Sequence, residues 1–163
     1  MTNALKNVRI GIVGAGVMGQ SIIKGLLAKK AVDPSQLWAA VRSEKSRQKT
    51  AASLENAIPV LTQFESELAK TDVLILCVKP TGLSNLLATL KKQNLPEKTL
   101  IISIVSGHML NSMEAALSQS NPVIRAMPNT PMMVGEAITV ISPGTHVSEN
   151  HLALAQAIFQ QRS

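Results

Sequence analysis

The segment Ile10-Gly11-Ile12-Val13-Gly14-Ala15-Gly16-Val17-Met18-Gly19 leaves this chain few ways to fold. An apolar, β-branched run from Val8 to Val13 enters a Gly-x-Gly-x-x-Gly turn, and Ile22, Ile23, Leu26 and Leu27 follow at helical spacing. Near-continuous apolar character marks a parallel strand buried on both faces, so strand, glycine turn and amphipathic helix open a βαβ unit. Gly14 permits the tight turn, Gly16 lets a pyrophosphate approach the backbone, and Gly19 lets the helix lie close to the sheet. An anion there faces the helix N-terminus. The pattern assigns dinucleotide binding to Gly14, Ala15, Gly16, Val17, Met18 and Gly19; a tight βα turn without a ligand is the plainer alternative.

The same alternation continues along the chain. Leu37–Val41, Ile58–Leu61, Val73–Val78, Leu100–Val105, Val123–Ala126 and Ala137–Ile141 read as strands, with Pro59 suggesting a sheet edge. Helices are expected over Val17–Ala28, from a Ser43 N-cap to about Leu54, and from a Thr81 cap through Leu83, Leu86, Leu87 and Leu90. Two more are expected over Leu110–Leu117 and His151–Gln161, and Ser142-Pro143-Gly144 reads as a turn. The implied fold is α/β: a Rossmann-type, doubly wound, mostly parallel sheet. Residues 1–150 would form the nucleotide-binding domain. Residues 151–163 would begin a helix leading towards a further domain, with Leu154, Ile158 and Phe159 as an apolar face left open.

A length of 163 residues, 45% apolar, suffices for one substantial core, and no apolar run approaches the length of a membrane span. The first residues lack the apolar stretch of a secretory signal, which suggests a cytoplasmic protein. A lone cysteine, Cys77, sits in an apolar run where a buried, inert thiol is expected. His108, His146 and His151 are scattered, so no metal site is expected. With Trp38, Phe64 and Phe159 as the only aromatic residues, a stacking platform for nucleic acid is not expected either.

The formal charge of +6 is concentrated early: residues 1–50 hold nine Lys/Arg against Asp33 and Glu44. Part of that excess falls in Arg42-Ser43-Glu44-Lys45-Ser46-Arg47, at the end of the second strand. There an NAD site would place a carboxylate on the adenosine ribose 2′-hydroxyl. Arg42, Ser43, Lys45 and Arg47 instead suit a 2′-phosphate and favour NADP(H) over NAD(H), although Glu44, one position off, could take the hydroxyl. Cys77-Val78-Lys79-Pro80 follows the strand beginning at Val73. Lys79 there could be a positioning group or a solvent-reaching side chain. Arg125-Ala126-Met127-Pro128-Asn129-Thr130-Pro131 ends another strand in a stiff loop that could hold the Asn129 amide in place.

Taken together, the glycine loop, the turn at 77–80, Ser103-Ile104-Val105-Ser106-Gly107 and the Met127-to-Pro131 run continuing to Glu136 resemble pyrroline-5-carboxylate reductases. The resemblance implies hydride transfer from NADPH to the imine carbon of 1-pyrroline-5-carboxylate, giving L-proline. It implies cofactor contacts from the glycine loop, from Arg42, Ser43 and Arg47, from Cys77, Val78, Lys79 and Pro80, and from Val105, Ser106, Gly107 and Asn129. It assigns no catalytic residue here. It also implies a helical domain beyond the matched residues that dimerises and supplies most of the imine-acid pocket, so the short chain is expected to turn over poorly alone. Phe64 stands where the family commonly has an asparagine against the adenosine. The alternatives are the cofactor half of another NADP-dependent oxidoreductase, such as a β-hydroxyacid dehydrogenase or a deazaflavin-linked reductase, and a non-catalytic NADP(H)-binding module.

Overall fold

A computed structural model of the chain describes residues 3–93, 95–117, 120–128 and 139–159. Its strands are β1 (Ile10–Val13), β2 (Leu37–Ala40), β3 (Val60–Leu61), β4 (Val73–Leu76), β5 (Leu100–Ser103), β6 (Val123–Pro128) and β7 (Thr139–Pro143). Its helices are α1 (Val17–Ala28), α2 (Glu44–Ser53), α3 (Leu83–Lys92), α4 (Leu110–Leu117) and α5 (Glu149–Phe159). The sheet order is β3-β2-β1-β4-β5-β6-β7, parallel except for the antiparallel β6–β7 pair. The chain starts at β1 in the middle, winds outward to β3, then returns to β4 on the other side of β1. That reversal opens a crevice at the carboxyl ends of β1 and β4, where doubly wound sheets bind ligands.

Period-two alternation sorts the side chains into two cores. Ile10, Ile12, Leu37, Ala39, Val73, Ile75, Leu100 and Ile102 pack on one face with Ile22, Ile23 and Leu26 of α1 and Ala155, Ile158 and Phe159 of α5. Val13, Trp38, Ala40, Leu74, Leu76 and Ile101 pack on the other with Leu83, Leu86, Leu87 and Leu90 of α3 and Met113 and Leu117 of α4. Burial on both faces explains the continuous apolar reading of these strands. Each fully buried aliphatic side chain contributes about 1.5–3 kcal/mol relative to exposure.

Three local expectations are corrected. Thr81 does not cap α3, because Lys79-Pro80 first turns the chain through a short 3-10 segment, Pro80–Gly82, and Gly82 becomes the N-cap without a side-chain bond. The turn expected at Ser142-Pro143-Gly144 lies later, because β7 runs through Pro143; an edge strand tolerates a residue that cannot donate to the ladder. The apolar face of the last helix is not open either. Ile158 and Phe159 are buried in the same core as α1, and only Leu154 of the expected trio is half-buried.

Helix α5 starts at a reciprocal cap. Ser148 Oγ accepts from the His151 backbone N–H at 3.2 Å, and His151 Nδ1 accepts from the Ser148 N–H at 2.9 Å. Histidine thus takes the place Glu or Gln usually holds in a capping box. Partial burial holds the imidazole below its ordinary value of 6.5. The unfolded chain therefore binds the proton first: the cap is intact above about pH 6.5, and stability falls as the pH drops below it. Thermal midpoints between about pH 7.5 and 5.5 should fall more steeply in the natural sequence than in His151→Gln, whose amide accepts at any pH. Parallel curves would exclude His151 as the cause.

Candidate functional site

Gly14 leaves β1 at φ +88°, a conformation that strains any residue with a Cβ. Its N–H and that of Ala15 donate to the Ala40 carbonyl at 2.9 and 3.2 Å, and the Gly16 N–H donates back to Gly14 O at 2.7 Å, which closes the turn. A Cβ at Gly14 would lie 2.7 Å from Val78 N and 2.8 Å from Cys77 C, so β1 and the turn after β4 meet backbone to backbone. A Cβ at Gly19 would come within 3.2 Å of Ile12 Cγ2 and 3.3 Å of Gly14 O, which is helix packed on strand. At Gly16 a Cβ would meet nothing within 4 Å. The three glycines thus divide the work as the motif requires: turn, open approach and close packing.

The open approach faces the start of α1. Gly16 provides no side-chain cap and the first turn carries no acidic residue, so the first N–H groups of the helix have no partner from a capping side chain. With the positive end of the helix dipole, this suits a phosphate. Val17, 70% exposed, leaves an apolar side chain uncovered beside that opening, and Met18 is half-buried. Ala15 is packed into the core, so its backbone alone can face a ligand.

At the end of β2 the cations differ in availability. Arg42 is exposed and, among the described residues, has no hydrogen-bond or ion-pair partner. Ser43 Oγ accepts from the Ser46 N–H at 3.1 Å and lies 3.0 Å from Ser46 Oγ, so its hydroxyl serves first as the N-cap of α2. Arg47 is held by Glu44: its Nε donates to both carboxylate oxygens at 2.8 Å and its Nη2 to Oε1. The guanidinium keeps the Glu44 carboxyl below its usual range. Lys45 is exposed.

Cys77 and Val78 are half-buried, with side chains against opposite cores, and Lys79 and Pro80 are exposed. Burial pushes the Cys77 thiol up, which keeps it protonated and unreactive. The turn after β5 carries buried Val105, whose N–H donates to Ser103 Oγ at 3.1 Å, then exposed Ser106 and Gly107 at φ +83°. His108 Nε2 lies 3.1 Å from Pro80 O and ties these two turns together. The sequence carries only one signal of this tie, a histidine directly after the strand-end turn.

The site residues therefore share the carboxyl edge of the sheet, except that Asn129, with residues 130–138, lies outside the described residues. Phe64 is turned inward, stacked on Trp38 with ring centroids 5.8 Å apart. The early basic excess is split. Lys6, Lys24 and Lys30 line an open groove of about 940 Å³ with Asn3, Asp33 and Ser53 at the amino edge, away from the glycine loop. Among the described residues no group of His, Cys, Asp or Glu could hold a metal ion, and no helix is long and apolar enough to cross a membrane.

Residues 9–107 match the family model described as NADP oxidoreductase coenzyme F420-dependent. The chain is 36% identical over 155 residues to pyrroline-5-carboxylate reductase of Methanosarcina acetivorans, covering 95% of this chain and 56% of that protein. It is 32% identical over 151 residues to the Arabidopsis thaliana pyrroline-5-carboxylate reductase, covering 93% and 53%. Among solved structures, a pyrroline-5-carboxylate reductase from Coxiella burnetii superposes with a TM-score of 0.86 at 26% identity, over 95% of this chain and 56% of that one. A Plasmodium falciparum pyrroline carboxylate reductase with NADP bound shares the fold, with a TM-score of 0.80 at 22% identity, covering 95% and 55%. The chain spans about half the length of the curated relatives it matches.

Proposed function

Because the chain belongs to the NADP oxidoreductase coenzyme F420-dependent family, we propose that it is the cofactor-holding half of an NADPH-dependent pyrroline-5-carboxylate reductase, which makes L-proline from 1-pyrroline-5-carboxylate. The observation that carries the cofactor assignment is Gly16, where a Cβ would enter open space at the head of an uncapped helix. The substrate class rests on the relatives' names and on a likeness that covers at least 93% of this chain in both curated relatives described above.

In this reading the backbone of Gly14 to Gly19 holds the pyrophosphate. Arg42 meets the 2′-phosphate, joined by Ser43 and Arg47 once their hydrogen bonds within α2 open. Cys77 to Pro80, Val105 to Gly107 and Asn129 line the nicotinamide side, mostly through backbone groups. The bound cofactor supplies the hydride. The chain's own contribution is orientation, which for well-placed reactants is worth up to about 7–11 kcal/mol of barrier. The nucleotide-binding domain runs through α5, whose Ala155, Ile158 and Phe159 lie in its core, and the helical part follows that helix. A homo-oligomer formed through that part and a cytoplasmic location belong to the same reading.

The test is a titration with both cofactors. NADPH should bind more tightly than NADH, and Arg42→Ala should weaken NADPH about tenfold while sparing NADH, as expected for one partly exposed charged hydrogen bond. Equal loss for the two would overturn the 2′-phosphate assignment. With pyrroline-5-carboxylate added, the 163-residue chain should consume NADPH far more slowly than a full-length relative, because the substrate carboxylate needs donors that no motif here provides. Matching rates would place the imine pocket within these residues and refute that division.

A further inference from the structure

The first turn of α2 sets one carboxylate among three cations at the end of β2. Glu44 is bound by the Nε and Nη2 of Arg47, three residues on, while Arg42 and Lys45 stay free of it. The pair is open to water, with 36% of the Arg47 side chain and 60% of the Glu44 side chain exposed, so it can part and re-form without unpacking the fold. Two of the five guanidinium N–H groups point at Glu44, and the other three have no partner among the described residues. A dianionic group beside Arg42 would compete with Glu44 for the same guanidinium and be repelled by its carboxylate, whereas a hydroxyl would do neither.

We propose that Glu44 is a positioning residue that sets how strongly the site discriminates between NADP(H) and NAD(H), by holding Arg47 until a 2′-phosphate draws it away. The proposal rests on the reading that the Arg42 end of β2 meets the adenosine ribose. The opposing pull is that of an exposed ion pair, at most about fivefold in affinity. Glu44 thereby limits the preference for the phosphorylated cofactor.

Affinities for NADPH and NADH, measured by titration without substrate on the natural sequence, Glu44→Gln, Arg47→Gln and the double variant, test this. Glu44→Gln should tighten NADPH about three- to fivefold without tightening NADH, and the gain should shrink below about twofold when Arg47 is already Gln. An equal gain in both backgrounds would make Glu44 a mere nearby charge and overturn the proposal; so would no gain at all. The Arg42→Ala titration separates this failure from that of the underlying reading. A natural preference for NADPH that Arg42→Ala abolishes and Glu44→Gln leaves untouched would sink only the role of Glu44. Absence of any preference, with Arg42→Ala weakening both cofactors alike, would remove the ribose assignment itself.

Discussion

Gly16→Val is expected to abolish NADPH binding in a protein that stays folded. The two halves of that expectation come from one fact, the empty space around the Cβ position. At Gly16 no neighbouring atom has to move, but φ −82° with ψ −150° lies outside the broad β region that suits valine, so thermal stability should fall by about 1–3 kcal/mol while the chain stays folded. The valine methyl groups would occupy the volume through which a pyrophosphate reaches the first N–H groups of α1. Losing two charged hydrogen bonds of about 1.5–3 kcal/mol each weakens binding by at least about a hundredfold. Circular dichroism and a cofactor titration on one sample suffice. Unchanged affinity would return the glycine loop to a tight turn with no ligand, and a collapsed spectrum would show that the space is structural.

The reading of Gly16 was available from sequence because its cause is local: a run of strand residues, a spacing of glycines and a helix pattern lie within twenty positions. The limits of α1 and α4 were legible for the same reason, and so was Ser43 as the cap of α2. What was not legible depends on contacts across the chain. The stripe of α5 was visible, but nothing in residues 151–161 says that α1 and the sheet cover it. Pro143 looked like a turn because its tolerance depends on β7 being an edge strand, a property of sheet order. The pairing of Glu44 with Arg47 is different: the i,i+3 spacing is visible in the sequence, but spacing alone does not rank Glu44 against a ligand phosphate as the acceptor for Arg47. Lys6, Lys24 and Lys30 shared the same basic excess and lie at the opposite edge of the sheet, which linear charge density cannot distinguish.

Gly11→Ala is expected to destabilise the fold strongly, although Gly11 lies outside the glycine fingerprint. Gly11 pairs with Trp38 across β1 and β2, and its missing side chain is the space in which the indole lies. A Cβ there would sit 2.1 Å from Trp38 Cζ2 and 2.3 Å from Cε2, far inside contact distance. The ring has no easy retreat: it is fully buried, its Nε1 donates to Thr71 Oγ1 at 3.1 Å, and Phe64 stacks on it at an interplanar angle of 19°. Overpacking costs about 1–3 kcal/mol where neighbours can shift, and a pinned indole puts this case at or above the upper end. The midpoint of thermal unfolding should fall by roughly 6–12 °C for a chain of this size. Trp38→Phe removes the clashing six-membered ring of the indole, so the double variant should lose less than the sum of the two single ones. Additive losses would mean that the strain lies in the β1 backbone and not against Trp38. Gly11 and Trp38 also account for the inward turn of Phe64: once glycine makes room for a tryptophan in the core, an aromatic partner at 64 is better buried against that ring than extended towards an adenosine.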